Sequence, residues 1–207
     1  MISMRSSLAD SCATKSALAS ALKQLVNKKQ FEKISIAEIC EICDMNRKSF
    51  YYHFRDKYDL VVWIFEQEFS QMCKNQQVIS IWDTTALLCS YFYENKSFYK
   101  RILKVNGQNS FADYFAALCS NALKERLKWH LDGITVTDMN VKTYTDFFVF
   151  SIYVWLTSQD QRNDRAFMRD LKNSVVFGAE LARIFSVHQT KDDFKEKETV
   201  LSIFGKQ

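Results

Sequence analysis

Between Arg47 and Phe54 the chain reads Arg-Lys-Ser-Phe-Tyr-Tyr-His-Phe, eight residues rich in hydrogen-bond donors and free of carboxylates. Wound as an α-helix at roughly 100° per residue, this segment puts Phe50 and Phe54 on one apolar stripe. Lys48, Ser49 and Tyr52 fall on the opposite side, with Tyr51 and His53 on the flanks. An ammonium, an alcohol and a phenol on one face can donate to phosphate oxygens and to base edges in a DNA major groove. A face meant for water usually mixes both signs of charge, and a plain solvated helix is the competing reading of these residues. Just downstream Lys57 adds a cation, and the unpaired amides of the helix it opens offer a further phosphate site.

Cys40-x-x-Cys43 is the other pattern with chemical potential. A redox pair belongs at a strand-to-helix junction, and no strand pattern precedes these cysteines. Zinc would need two more ligands, and His53, His130 and His188 show no paired spacing. Both thiols instead share the apolar stripe Ile36, Ile39, Cys40, Cys43, where small apolar side chains pack. No Gly-rich phosphate loop and no G-x-S-x-G elbow occurs. The expectation is a protein without catalytic activity, cofactor or metal.

Two short capped helices position the donor face. Ser35-Ile36-Ala37-Glu38 fits a capping box, with Ile34 and Ile39 as its hydrophobic staple. That helix runs to about Cys43, and the three-residue turn Asp44-Met45-Asn46 follows. Asn46 then caps the donor-rich helix, with Met45 and Phe50 as a second staple. Two short helices joined this way form a helix-turn-helix. Ahead of them Ala13, Ala17, Leu18, Ala21, Leu22, Leu25 and Val26 recur at three and four, which predicts an amphipathic first helix after a loose polar leader over 1–12.

The 207 residues contain no proline and four glycines, so helix breakers are nearly missing and an all-α fold follows. Further helices are expected over 57–75, 81–94, 96–105, 110–131, 141–157 and 164–187. Connections fall at Asn95, Asn106-Gly107, Asp132-Gly133 and 158–163, and the stretch 191–207 is a tail or a short docked helix. Hydrophobic residues make up 47% of the chain, enough for a full core. Residues 1–60 hold ten Lys/Arg against seven Asp/Glu, while the rest is nearly balanced at eighteen against seventeen. The surplus sits where the donor face does. No signal peptide and no run of eighteen apolar residues is visible, and the six cysteines lack a framework spacing. A cytoplasmic protein with no membrane partner is expected.

The run from Ile36 to Leu60 resembles the TetR family signature: an Ile-Ala pair, a small turn, a hydroxylated recognition helix, then Tyr-x-His-Phe-x-x-Lys-x-x-Leu. Tyr51-Tyr52-His53-Phe54 and Lys57-Tyr58-Asp59-Leu60 match it position by position. The resemblance is specific over about 13–65 and architectural beyond. Asp56 through Trp63, Ser97 through Arg101 and Asn106 through Phe111 look like a Firmicutes-type subgroup that includes the activator of dihydroxyacetone kinase genes. Membership would imply a TetR-like fold, with a three-helix DNA-binding domain over 1–56 and a helical effector and dimerisation domain over 57–207. It would also imply that Tyr51, His53 and Lys57 contact phosphates while residues among Arg47, Lys48, Ser49 and Tyr52 touch bases of a palindromic operator in double-stranded DNA. Two departures stand out. Asp44 occupies the usual turn glycine, and the long cation Lys48 replaces a small residue.

In the second domain, 144–156 carries only Asp146 as a charge and is apolar all round, which predicts a helix buried on all sides. Its neighbour sets Phe167, Leu171, Ser174, Gly178, Leu181 and Phe185 at alternating four and three. The family forms homodimers through two C-terminal helices per subunit, so Leu171, Gly178, Leu181 and Phe185 are the expected dimer seam; packing within one chain is the alternative. The family also receives an effector, small molecule or protein, among aromatic residues. Here Trp63, Trp82, Phe92, Phe98, Phe115, Trp129, Tyr144 and Phe148 are the candidates, with an ordinary aromatic core as the alternative. The functional expectation is a sequence-specific DNA-binding transcriptional regulator. An activator working with a partner protein and a helical interaction module that no longer binds DNA are the other readings.

Overall fold

The computed structural model describes residues 2–76, 80–105, 110–127, 136–159 and 161–188, with side chains described from 11 to 184. Nine α-helices and one 3-10 turn make up the described residues: α1 (Ile2–Lys28), the turn Phe31–Lys33, α2 (Ile36–Ile42), α3 (Arg47–His53), α4 (Lys57–Lys74), α5 (Ile81–Glu94), α6 (Lys96–Ile102), α7 (Phe111–Leu127), α8 (Asp138–Thr157) and α9 (Asp164–His188). The chain falls into two compact units, Met1–Arg165 and Ala166–Gln207. Asn106, Gly107, Trp129, Asp132, Gly133 and the stretch 191–207 lie outside the described residues.

The expected polar leader is helical, since α1 begins at Ile2. Residues 2–12 contain neither glycine nor proline, so nothing in them ends the helix that the apolar positions start. Leu18, Ala21, Leu22, Leu25 and Val26 are buried as expected, while Ala13 is exposed. α8 starts a turn earlier than expected because Thr137 and Asn140 form a capping box, with Thr137 Oγ1 accepting from the Asn140 amide at 3.2 Å. No loop separates α5 from α6. Asn95 ends one and opens the next, its Nδ2 donating to the Tyr91 carbonyl at 3.0 Å.

Phe65 of α4 is the hub of the core that follows the helix-turn-helix. Its ring centroid lies 5.6 Å from Tyr91, 5.9 Å from Phe92, 5.5 Å from Phe111 and 5.9 Å from Phe115. Rings of this size bury roughly 150–250 Å² each and carry most of the cohesion of such a cluster. Two phenols inside it are satisfied by a polar chain. The Tyr91 and Tyr99 hydroxyls share a hydrogen bond at 2.7 Å, Tyr91 donates to Glu68 Oε2 at 3.0 Å, and Glu68 Oε1 meets Lys23 at 2.5 Å. Burial pushes both phenols far above the usual tyrosine range, so they act only as neutral hydrogen-bonding groups. This chain links α1 to α4, α5 and α6, and Trp63 of α4 packs on Phe54 at 5.9 Å.

Candidate nucleic-acid interface

α2 is fixed first. Ser35 Oγ accepts from the Glu38 amide at 3.3 Å, and the Glu38 carboxylate accepts from the Ser35 amide at 2.9 Å, the capping box read from the sequence. Hydrogen bonds from Lys29 and then Ser35 hold the Glu38 carboxyl at about 2, well below its ordinary value. Asp44 adopts the left-handed conformation at φ 52°, the one such non-glycine among the described residues. A short polar side chain tolerates this backbone better than most, so Asp44 serves where glycine is usual. The reversal lets Met45 N donate back to the Cys40 carbonyl at 2.9 Å.

Asn46 then starts α3, its Oδ1 accepting from the Ser49 amide at 2.8 Å and from Ser49 Oγ at 3.2 Å. Phe50 and Phe54 are 0% and 4% exposed, with ring centroids 5.8 Å apart. Anchored on that stripe, the helix turns Arg47, Lys48, Tyr51 and Tyr52 outward, Tyr52 at 83% exposure. Ser49 is half-buried and spends its hydroxyl proton on the cap. His53 is half-buried beside Tyr52, ring centroids 4.9 Å apart. Desolvation, then the charge of Lys15, pushes its pKa below the ordinary histidine value.

Lys15 was not legible as part of this region. Its ammonium stands 5.9 Å from the Phe54 ring centroid, bringing α1 beside the end of α3. No spacing rule relates a residue of α1 to one of α3 some forty positions on.

Lys57 and the amides around it are committed inside the protein. Its Nζ donates to the carbonyls of Phe31, Glu32 and Ile34 at 2.8, 2.9 and 2.8 Å. The Tyr58 and Asp59 amides donate to Asp56 Oδ1, each at 2.8 Å, so these two amides of the first turn of α4 are not open to a phosphate. Asp56 is an N-cap, and a carboxylate there satisfies these donors internally.

Among the described residues, the aromatic candidates for an effector site are spread between the core and the surface. Phe92, Phe98 and Phe115 are buried in the core cluster, Trp63 packs on Phe54, Trp82 is half-buried and Tyr144 is 59% exposed. Phe148 is half-buried, 6.5 Å from Phe115, and Trp129 is outside the described residues. An open cleft of about 640 Å³ is lined by Arg55, Asp56, Tyr58, Asp59, Val62, Ser110, Asp113 and Tyr114, none of them in the aromatic set.

Thr145 escaped the sequence reading. It shares the buried face of α8 with Val141 and Ile152, and its hydroxyl is the one buried side-chain polar atom among the described residues without a hydrogen-bond partner. Its signal was a polar residue inside an apolar i, i+4, i+7 stripe. An unpaired buried hydroxyl costs about 1–3 kcal/mol. Thr145→Val is therefore expected to raise stability by that order in a denaturant or thermal melt, and a destabilised variant would show the hydroxyl to be bonded.

α8 is not buried on all sides. Tyr144, Phe147, Phe150 and Val154 are exposed at 59, 41, 65 and 40%. Having apolar residues all round does not require one chain to cover them all. In the second unit, Leu171 of the expected seam is buried, Leu181 is half-buried, and Gly178 is exposed with open space where a Cβ would stand. Phe185 lies beyond the described side chains. The exposed apolar residues of α9 are Val176, Phe177 and Ile184 at 61, 63 and 39%. At roughly 100° per residue these three centre on the side of the helix away from Leu171.

Cys40 is buried, Cys43 is half-buried as the C-cap of α2, and both are free thiols. Burial pushes both thiols up, disfavouring the thiolate that redox or metal chemistry needs.

Residues 18–63 match the family model described as bacterial regulatory proteins, tetR family, and residues 81–173 match that described as transcriptional regulator C-terminal region. The HTH-type dhaKLM operon transcriptional activator DhaS of Lactococcus lactis subsp. lactis (strain IL1403) is 28% identical over 111 residues, 53% of this chain. That match spans 58% of the relative's own length. Among solved structures, the dihydroxyacetone kinase operon activator DhaS superposes with a TM-score of 0.58 at 19% identity, covering 81% of this chain and 97% of that one. A TetR transcriptional regulator from Streptococcus agalactiae 2603V gives a TM-score of 0.63 at 16% identity, covering 83% and 98%. These two structures share the fold, and the first-named relative falls in the subgroup that the sequence resembles. The chain belongs to the TetR family of bacterial regulatory proteins.

Proposed function

We propose that this protein is a sequence-specific DNA-binding transcriptional regulator whose α3 enters the major groove. The carrying observation is a capped helix pinned by Phe50 and Phe54 that turns Arg47, Lys48, Tyr51 and Tyr52 outward. Lys48 and Tyr52 are the base readers in this reading. Tyr51 and His53 donate to phosphates, Arg47 serves either role, and Ser49 contributes chiefly through the cap. Lys15 adds positive charge beside the groove. The regulator works in the cytoplasm and is not an enzyme. In support, no helix among the described residues is long and apolar enough to cross a membrane, and both family models are of regulators.

The partner in this reading is a second copy of the chain bound to a palindromic operator. In this reading the partner meets the exposed apolar side of α9 at Phe177 and Ile184. An effector, small molecule or protein, acts through the helices from α4 onward. The relative's name favours activation over repression.

Lys48→Ala tests the reading. Retained genomic fragments should shift in preference at one position per half-site by about 1–3 kcal/mol, with little change in overall non-specific affinity. Identical fragment preferences in both proteins would remove Lys48 from the base contacts. Retention of no fragment by the wild type would favour a helical interaction module without DNA binding.

A further inference from the structure

Lys57 stands at the first position of α4, the end of a helix where a cation is least favoured by the aligned peptide dipoles. What holds it there is on the other side of the ammonium. Its three donors meet three carbonyls, those of Phe31, Glu32 and Ile34, all within 2.9 Å. These oxygens belong to the 3-10 turn after α1 and to its C-cap, which leads directly into Ser35 and α2. An ammonium has three protons to donate, so this arrangement leaves none for a phosphate. The rings of Phe31 and Tyr58 flank it, with centroids 4.8 and 5.9 Å from Nζ. Desolvation, the largest influence, pushes its pKa below the ordinary lysine value, as for a cation taken out of water.

We infer that Lys57 is a positioning residue that clasps the start of α4 to the link between α1 and α2, setting the pose of α3, and that it makes no contact with the DNA backbone. The inference rests on the DNA-reading role proposed for α3. α3 is seven residues long and is held between the turn at Asp44 and the start of α4, so its orientation depends on how those two ends are tied. Removing the clasp frees one of them. Specific recognition, which needs all readers in register at once, suffers. Non-specific attraction to phosphates depends on the charge near the groove and does not.

The full-length protein with Lys57→Met and with Lys57→Arg separates the two roles. Each is titrated with a duplex selected by the wild type and with an unrelated duplex over a range of salt, and amide exchange is followed at Ile34, whose N–H is bonded to the Phe31 carbonyl. Positioning predicts that both variants lose specific affinity about tenfold or more while keeping non-specific affinity and the wild-type salt slope. It also predicts Ile34 exchange at least tenfold faster in Lys57→Met. Arg keeps the charge, but its planar fork does not fit three converging carbonyls. A phosphate contact predicts the reverse: Lys57→Arg binds like the wild type, and Lys57→Met weakens both duplexes and lowers the slope by about one. That outcome, or unchanged Ile34 exchange in Lys57→Met, overturns the inference. A wild type that binds neither duplex at low salt instead overturns the DNA-reading role, and the exchange measurement still decides whether Lys57 is a clasp.

Discussion

On the proposed two-fold association, the wild type is expected to sediment as a dimer and Phe177→Glu combined with Ile184→Glu as a monomer, with the fold of each chain intact. Both side chains are substantially exposed in the single chain, at 63 and 39%, so replacing them removes little packing from it. Exposed substitutions of this kind usually change stability by no more than about 0.5 kcal/mol. In a two-fold dimer each would instead bring a carboxylate into an apolar interface, twice over. The consequence for DNA is larger than the chemistry suggests. Once one half-site is bound, the second binds at the high effective concentration set by the dimer, and losing that linkage lowers full-site affinity by about 10²–10⁴-fold. Half-site affinity should be unchanged. Leu171→Ala makes the contrast: a buried leucine cut to alanine costs about 2–5 kcal/mol of stability, with the association state kept. The opposite pattern would return the dimer surface to the seam through Leu171.

Phe50→Ala is expected to abolish binding to every duplex. Phe50 has no exposed surface and packs against Phe54 and Tyr51, at 5.8 and 5.7 Å between centroids. Cutting a buried phenylalanine to alanine costs about 3–5 kcal/mol. A seven-residue helix has little stability of its own, so α3 would lose its seat. Calorimetric or chemical melts should show the loss directly. Tyr52→Ala, two residues on and 83% exposed, should melt within about 0.5 kcal/mol of the wild type and change only DNA preference. If Phe50→Ala melted like the wild type, the anchoring of α3 on that stripe would be wrong.

The features legible in the sequence are those decided by neighbours along the chain. Ser35 and Asn46 marked the starts of α2 and α3 because a cap needs only the residue three positions on. Phe50 and Phe54 marked the buried side of α3 because a helix brings i and i+4 together. The left-handed turn at Asp44 was legible only through the resemblance, which places a glycine there. Features decided by distant groups were not legible. The destination of Lys57 depends on carbonyls more than twenty residues earlier, and a backbone oxygen carries no sequence signal. The aromatic residues were visible as a set, but whether they line a cavity or fill it depends on Phe65 reaching the centre of the cluster. The seam through Leu171, Gly178, Leu181 and Phe185 on α9 was visible as a heptad-like pattern. A periodicity shows that a face is apolar without showing whether the chain itself or a second copy covers it.

The most direct test of the account is selection of wild-type protein from a pool of random duplexes, followed by sequencing of what is retained. A dimer reading DNA through α3 should enrich a two-fold symmetric motif whose half-sites are centred about one DNA turn, roughly 34–36 Å, or a multiple of it apart. Retention without any enriched motif, or enrichment of a single asymmetric site, would contradict it.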